Sequence, residues 1–79
     1  MKISVQTNIA APVFQQIVDQ VHFAISAGEL LPGERLPSIR AIATELSIAP
    51  NTVAKAYRQL EFRGLITAHD RSGYSVLAA

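Results

Sequence analysis

Residues 48–66 read IAPNTVAKAYRQLEFRGLI. A proline stands near the start of this stretch, a glycine near its end, and the spacing between them is helical. Pro50 suits a first helical turn, because its fixed φ is already helical and its missing N–H would have no partner there. Gly64 supplies the stop. Val53, Ala56, Tyr57 and Leu60 recur three and four positions apart and make one apolar stripe. At about 100° per residue, Asn51, Lys55, Arg58 and Phe62 fall opposite Val53. Thr52 and Gln59 flank them. The helix therefore carries an outward face of hydrogen-bonding side chains with no evident local partner.

Working upstream, residues 47–49 (SIA) are too few for anything but a tight turn. Before them, Ser38 is a good N-cap, and IRAIATEL puts Ile39, Ile42, Ala43 and Leu46 on one face with Arg40 off it. The connector GELLPGERLPS holds two prolines and two glycines and reads as turns, with Arg35-Leu36 as a brief strand within it. A further helix starts near Pro12. Its stripe is Phe14, Ile17, Val18, Val21 and Ile25, and it ends at Gly28. Phe23 lies opposite Phe14, as a partner contact or beneath the N-terminal residues. The opening KISVQ alternates, as a short strand or an arm.

Downstream of Gly64 the period changes to two. LITAH and YSVLA read as strands joined by DRSG, with Gly73 available for a positive φ. The order is helix, helix, helix, hairpin.

The 79 residues point to one small domain, and 49% hydrophobic residues suffice for a core. Without cysteine there are no disulfides, thiolate metal sites or thiol chemistry, a composition compatible with a reducing cytoplasm. No run approaches the roughly 18–20 apolar residues of a membrane span, and MKISVQTN lacks the apolar core of a signal peptide. Net charge is only +1, but its distribution is uneven. Residues 1–34 set Lys2 against Asp19, Glu29 and Glu34, for −2. Residues 35–79 set Arg35, Arg40, Lys55, Arg58, Arg63 and Arg71 against Glu45, Glu61 and Asp70, for +3. A basic second half suits an anionic partner.

Two helices joined by a tight turn, the second with a polar face, form a helix-turn-helix pattern. Such a second helix enters the major groove of DNA with its first residues at base edges. Asn51 suits adenine N6/N7, and Lys55 suits guanine O6/N7 or a phosphate. Arg58 falls where backbone phosphates would be. The hairpin tip carries Arg71, with His69 and Tyr74 beside it, and reads as a wing along the DNA backbone or minor groove. Catalysis has little support. His22 and His69 are far apart, GERLPSIR lacks the ending of a phosphate loop, and Ser38 is better explained as a cap. We expect no enzyme, cofactor or metal site. The other reading is a winged-helix protein-interaction module anchored by Phe23 and Phe62.

Residues 9–77 resemble the N-terminal winged helix-turn-helix domain of the GntR family of bacterial transcription regulators. The resemblance rests on SAGELLPGERLPSIRAIATELSIAPNTVAKAYRQLEFRGLI, and PNTVAKAYRQLE is most similar to the small YtrA-type subfamily. Regulators fused to an aminotransferase-like domain are the alternative parent. The resemblance implies a mainly α small domain, with three helices followed by a two-stranded β-hairpin wing. It also implies DNA contacts from Arg40, Pro50, Asn51, Thr52 and Lys55, with Ser38 as cap and phosphate contact. The family wing reads G-R-G-T-F-V; here RSGYSV places Arg71 at its first glycine and Ser72 at its basic position. Ala49 stands where many members have a capping serine. The resemblance further implies a cytoplasmic repressor that acts as a homodimer on a palindromic operator. Its dimerisation and effector-sensing domain would lie C-terminal to this chain, so the effector is unknown.

Overall fold

The computed structural model describes residues 3–69 and 73–77. The elements are α1 (Val13–Ser26), β1 (Arg35–Leu36), α2 (Ile39–Leu46), α3 (Pro50–Phe62), β2 (Ile66–His69) and β3 (Gly73–Val76). The three helices and the hairpin strands stand where the sequence places them.

α3 buries the expected stripe completely: Val53, Ala56, Tyr57 and Leu60 have no exposed surface. Ile17, Val18 and Val21 of α1 meet that stripe from one side and Ile42 and Ala43 of α2 from another. Each large aliphatic side chain withdrawn in this way contributes about 1.5–3 kcal/mol of transfer free energy. The stripe on α3 is thus the shared wall of the core, and its polar face is turned outward as a consequence.

The helix ends repeat one device. Two or three residues beyond each helix an N–H reaches back five positions: Glu29 to Ala24 (2.8 Å), Ile48 to Ala43 (3.0 Å) and Leu65 to Leu60 (3.0 Å). Such a closure places the residue between in the left-handed region. At the ends of α1 and α3 that residue is glycine, Gly28 (φ 80) and Gly64 (φ 76). At the end of α2 it is Ser47 (φ 56), which turns the chain into α3.

The described residues of the N-terminal arm join no sheet; two glutamines of α1 hold them instead. Gln20 accepts from the Ser4 N–H at 3.1 Å and donates to the Ser4 carbonyl at 2.5 Å. Gln16 accepts from the Gln6 N–H at 2.8 Å and donates to the Gln6 carbonyl at 2.7 Å and to that of Ala11 at 2.9 Å. A side-chain amide offers the same donor and acceptor as a peptide group. One helical turn, about 5.4 Å, nearly matches the roughly 6.6 Å between alternate residues of an extended chain. The arm does not bury Phe23, which is 67% exposed.

The two-stranded hairpin wing is present as β2 and β3, and a further strand adds to it. β1 pairs with β3, so three antiparallel strands lie in the order β1-β3-β2. A two-residue strand has no sequence signal for its partner; Leu36 opposite Tyr74 and Arg35 opposite Ser75 are brought together by the fold. The expected positive φ at Gly73 is also absent, because Gly73 opens β3 opposite His69 in regular pairing.

Candidate nucleic-acid interface

α3 begins between two clefts. On one side Ser38, Ile39, Arg40, Pro50 and Tyr74 line a cleft of about 540 Å³. On the other, Pro12, Val13, Phe14, Asn51, Thr52 and Lys55 line one of about 390 Å³. The structure therefore divides the residues singled out in the sequence. Arg40 and Ser38 approach from the start of α2, while Asn51, Thr52 and Lys55 border the start of α1. Arg40, Asn51, Lys55 and Arg58 are exposed, whereas Thr52 is half-buried toward α1. Arg58 lies beyond both clefts, farther along the outward face.

Two helix starts converge on the first cleft, and their capping differs. Ser38 Oγ accepts from the Ala41 N–H at 3.0 Å and completes the first turn of α2. Ala49 offers no such bond to α3, which begins at Pro50 uncapped. The Thr52 N–H turns back to the Ala49 carbonyl at 3.0 Å, and the Asn51 N–H is left for an anionic partner. Beneath the cleft, Tyr57 donates its hydroxyl to the Pro37 carbonyl at 2.6 Å. Tyr74 meets the Tyr57 ring edge-on, with centroids 4.8 Å apart and an interplanar angle of 79°. Burial, with the Tyr74 phenol beside it, pushes the Tyr57 hydroxyl well above the usual phenol range and keeps it a donor.

The wing residues fall on both faces of the sheet. Tyr74 points toward the core side, where its half-buried ring packs against Tyr57 and also lines the first cleft. His69, Gly73 and Ser75 share the other face, where His69 Nε2 lies 2.6 Å from Ser75 Oγ. The Arg35 side chain lies against Gly73, where a β-carbon would collide with its guanidinium. That guanidinium is the far end of a flexible, exposed side chain and can swing aside, so the contact does not by itself require glycine. Arg71, expected at the tip, lies outside the described residues.

Two residues near the site escaped the sequence reading. Arg35 reads in the sequence as part of a brief strand within the connector, as β1 is, but not as a neighbour of the wing; its alternation with buried Leu36 is the available signal. Phe14 was counted into the core stripe of α1, yet it is half-buried and its ring carries the Lys55 ammonium at 4.1 Å from the centroid. A second contact, Arg63 Nη1 to His22 Nδ1 at 3.4 Å, lies eight residues farther along both helices. α1 and α3 thus run side by side in the same direction, and both begin at this face.

Among the described residues, no three His, Asp or Glu side chains gather as a metal site would require. None of the described helices is long and apolar enough to cross a membrane.

Three helices with a tight turn between α2 and α3, followed by a hairpin, define a winged helix-turn-helix domain. The model of the family described as bacterial regulatory proteins, gntR family, matches residues 14–76, and the chain belongs to that family. It is 42% identical over 69 residues to the HTH-type transcriptional regulator Rv1152 of Mycobacterium tuberculosis, covering 87% of this chain and 57% of the relative. It is 38% identical over 73 residues to the HTH-type transcriptional repressor YtrA of Bacillus subtilis, covering 91% and 56%. The chain thus spans little more than half the length of these curated relatives. Among solved structures it is similar to YtrA from Sulfolobus acidocaldarius, a GntR-family transcription factor. That comparison gives a TM-score of 0.90 and 38% identity, covering 98% of this chain and 81% of the other.

Proposed function

We propose that this chain is the sequence-specific DNA-binding domain of a transcription regulator, with α3 seated in the major groove of double-stranded DNA. One observation carries the reading: α3 spends its whole apolar stripe on the core and turns Asn51, Lys55 and Arg58 outward, with Arg40 beside them. A helix with side chains is about 10–12 Å across and the groove about 12 Å wide, so one such helix fills it. Asn51 and Arg40 read base edges. Ser38, Thr52 and Arg58 border the phosphates, as does the Asn51 N–H that follows Pro50. His69, Arg71, Gly73 and Tyr74 form the wing's share of the interface. We further propose a repressor in a bacterial cytoplasm, like the relative named as one. It acts as a homodimer on a palindromic operator, and its effector has no assignment.

The test is selection of duplexes from a random pool with the purified chain, followed by affinity measurements at two salt concentrations. Binding to a selected duplex should fall steeply as salt rises, because displaced counterions return. Selection that yields no common sequence, or affinity indifferent to salt, contradicts the proposal.

Two exposed aromatics, Phe23 (67%) and Phe62 (86%), favour a second reading as a protein-contact module. A contact of that kind is apolar and changes little over the same salt range.

A further inference from the structure

We propose that Phe14 is a positioning residue for Lys55, holding its ammonium at the flank of α3 for a DNA phosphate and away from the base edges. The inference deepens the DNA-binding reading and rests on it. Lys55 Nζ stands 4.1 Å from the centre of the Phe14 ring, a distance at which the ring face attracts a cation. Phe14 is half-buried and packed against the core, so the core fixes where its exposed face points. It belongs to the first turn of α1, which lies beside the first turns of α3.

The direction of this contact decides what Lys55 reaches. A helix that fills the major groove meets base edges at its tip and the phosphate walls at its flanks. Lys55 leans sideways onto α1, toward a wall. Asn51 stands one turn earlier on the same outward strip and keeps the view of the bases. A lysine side chain has many rotamers, and ordering it on binding opposes association. The Phe14 ring selects the useful rotamers before DNA arrives.

The test measures affinity of the 79-residue chain for a duplex it selects from a random pool and for a scrambled duplex, at several salt concentrations. The variants are Phe14→Leu, Phe14→Tyr, Lys55→Ala and the Phe14→Leu/Lys55→Ala double, each checked for an unchanged thermal melt. Should Phe14→Leu melt early, Phe14→Met takes its place. Lys55→Ala should weaken both duplexes by the same factor and reduce the salt slope by about one. Phe14→Leu should weaken both about two- to fivefold, Phe14→Tyr should not, and Phe14→Leu should have no effect once Lys55 is alanine. Equal losses from Phe14→Leu with and without Lys55 would reduce Phe14 to packing. Tighter binding by Phe14→Leu would mean that the ring holds the lysine away from DNA. Loss confined to the selected duplex in Lys55→Ala would make Lys55 a base reader. A wild-type chain that binds neither duplex sinks the DNA reading itself, a result distinct from the other three.

Discussion

The Tyr57 hydroxyl donates to the Pro37 carbonyl across 2.6 Å and so joins the middle of α3 to the residue just before the α2 cap. Ser38 and Arg40 follow that carbonyl directly, and Pro50 and Asn51 lie two turns up the helix that carries Tyr57. The bond therefore sets the spacing between the α2 and α3 contributions to the DNA-facing surface. Tyr74 closes over the same phenol from the wing at a centroid distance of 4.8 Å.

Tyr57→Phe should cost about 0.5–1.5 kcal/mol of stability, the usual loss for one such hydrogen bond. Chemical denaturation checks this. The raised Tyr57 pKa also has a sign. A phenol that stays protonated when folded and ionises when unfolded contributes stability that is complete below the unfolded value of about 10 and is lost as pH rises above it. Stability of the wild type should fall above about pH 10, and Tyr57→Phe should flatten that fall.

Ser47→Gly should stabilise the domain by up to about 1 kcal/mol, because a side chain at φ 56 carries a left-handed strain that glycine lacks. Ser47→Val should destabilise it by a similar amount or more. Thermal melts of the two variants should move in opposite directions.

Gln16→Ala should cost about 1–2 kcal/mol and release the arm, since one amide serves the N–H and carbonyl of Gln6 and the carbonyl of Ala11. Amide exchange at Gln6 should accelerate strongly, while amides within α3 change only as far as global stability does. Gln20, which serves Ser4 at the exposed edge, should matter less.

Arg40 and Arg58 should separate in their effects. Arg40→Ala should remove about 1–3 kcal/mol of preference for a selected duplex over a scrambled one. Arg58→Ala should weaken both duplexes alike and lower the salt slope by about one. Fluorescence titration of both duplexes at three salt concentrations distinguishes the two behaviours.

What the sequence disclosed follows from range. The α3 stripe is a local period, and all four of its residues are fully buried. Ser38 as cap and Ala49 as a missing cap were also legible, because capping is decided within four residues. The long-range relationships were not. Nothing near Gln16 and Gln20 announces that their amides bind residues 4 and 6, and nothing near Arg35 names Ser75 as its partner. Gly73 shows the limit of local reading: a glycine in a hairpin suggests a turn, whereas it stands in regular pairing opposite His69, beside a side chain 38 positions earlier. Phe14 fitted the α1 stripe so well that its open face, where Lys55 sits, left no trace in the pattern.

The most direct test of the central claim is titration of a selected duplex into isotopically labelled protein, followed by amide shifts. The account predicts that the perturbed amides cluster in residues 38–41, 50–58 and 69–74, with the outer surface around Phe23 unaffected. Shifts that avoid those three segments and gather around Phe23 and Phe62 would contradict it.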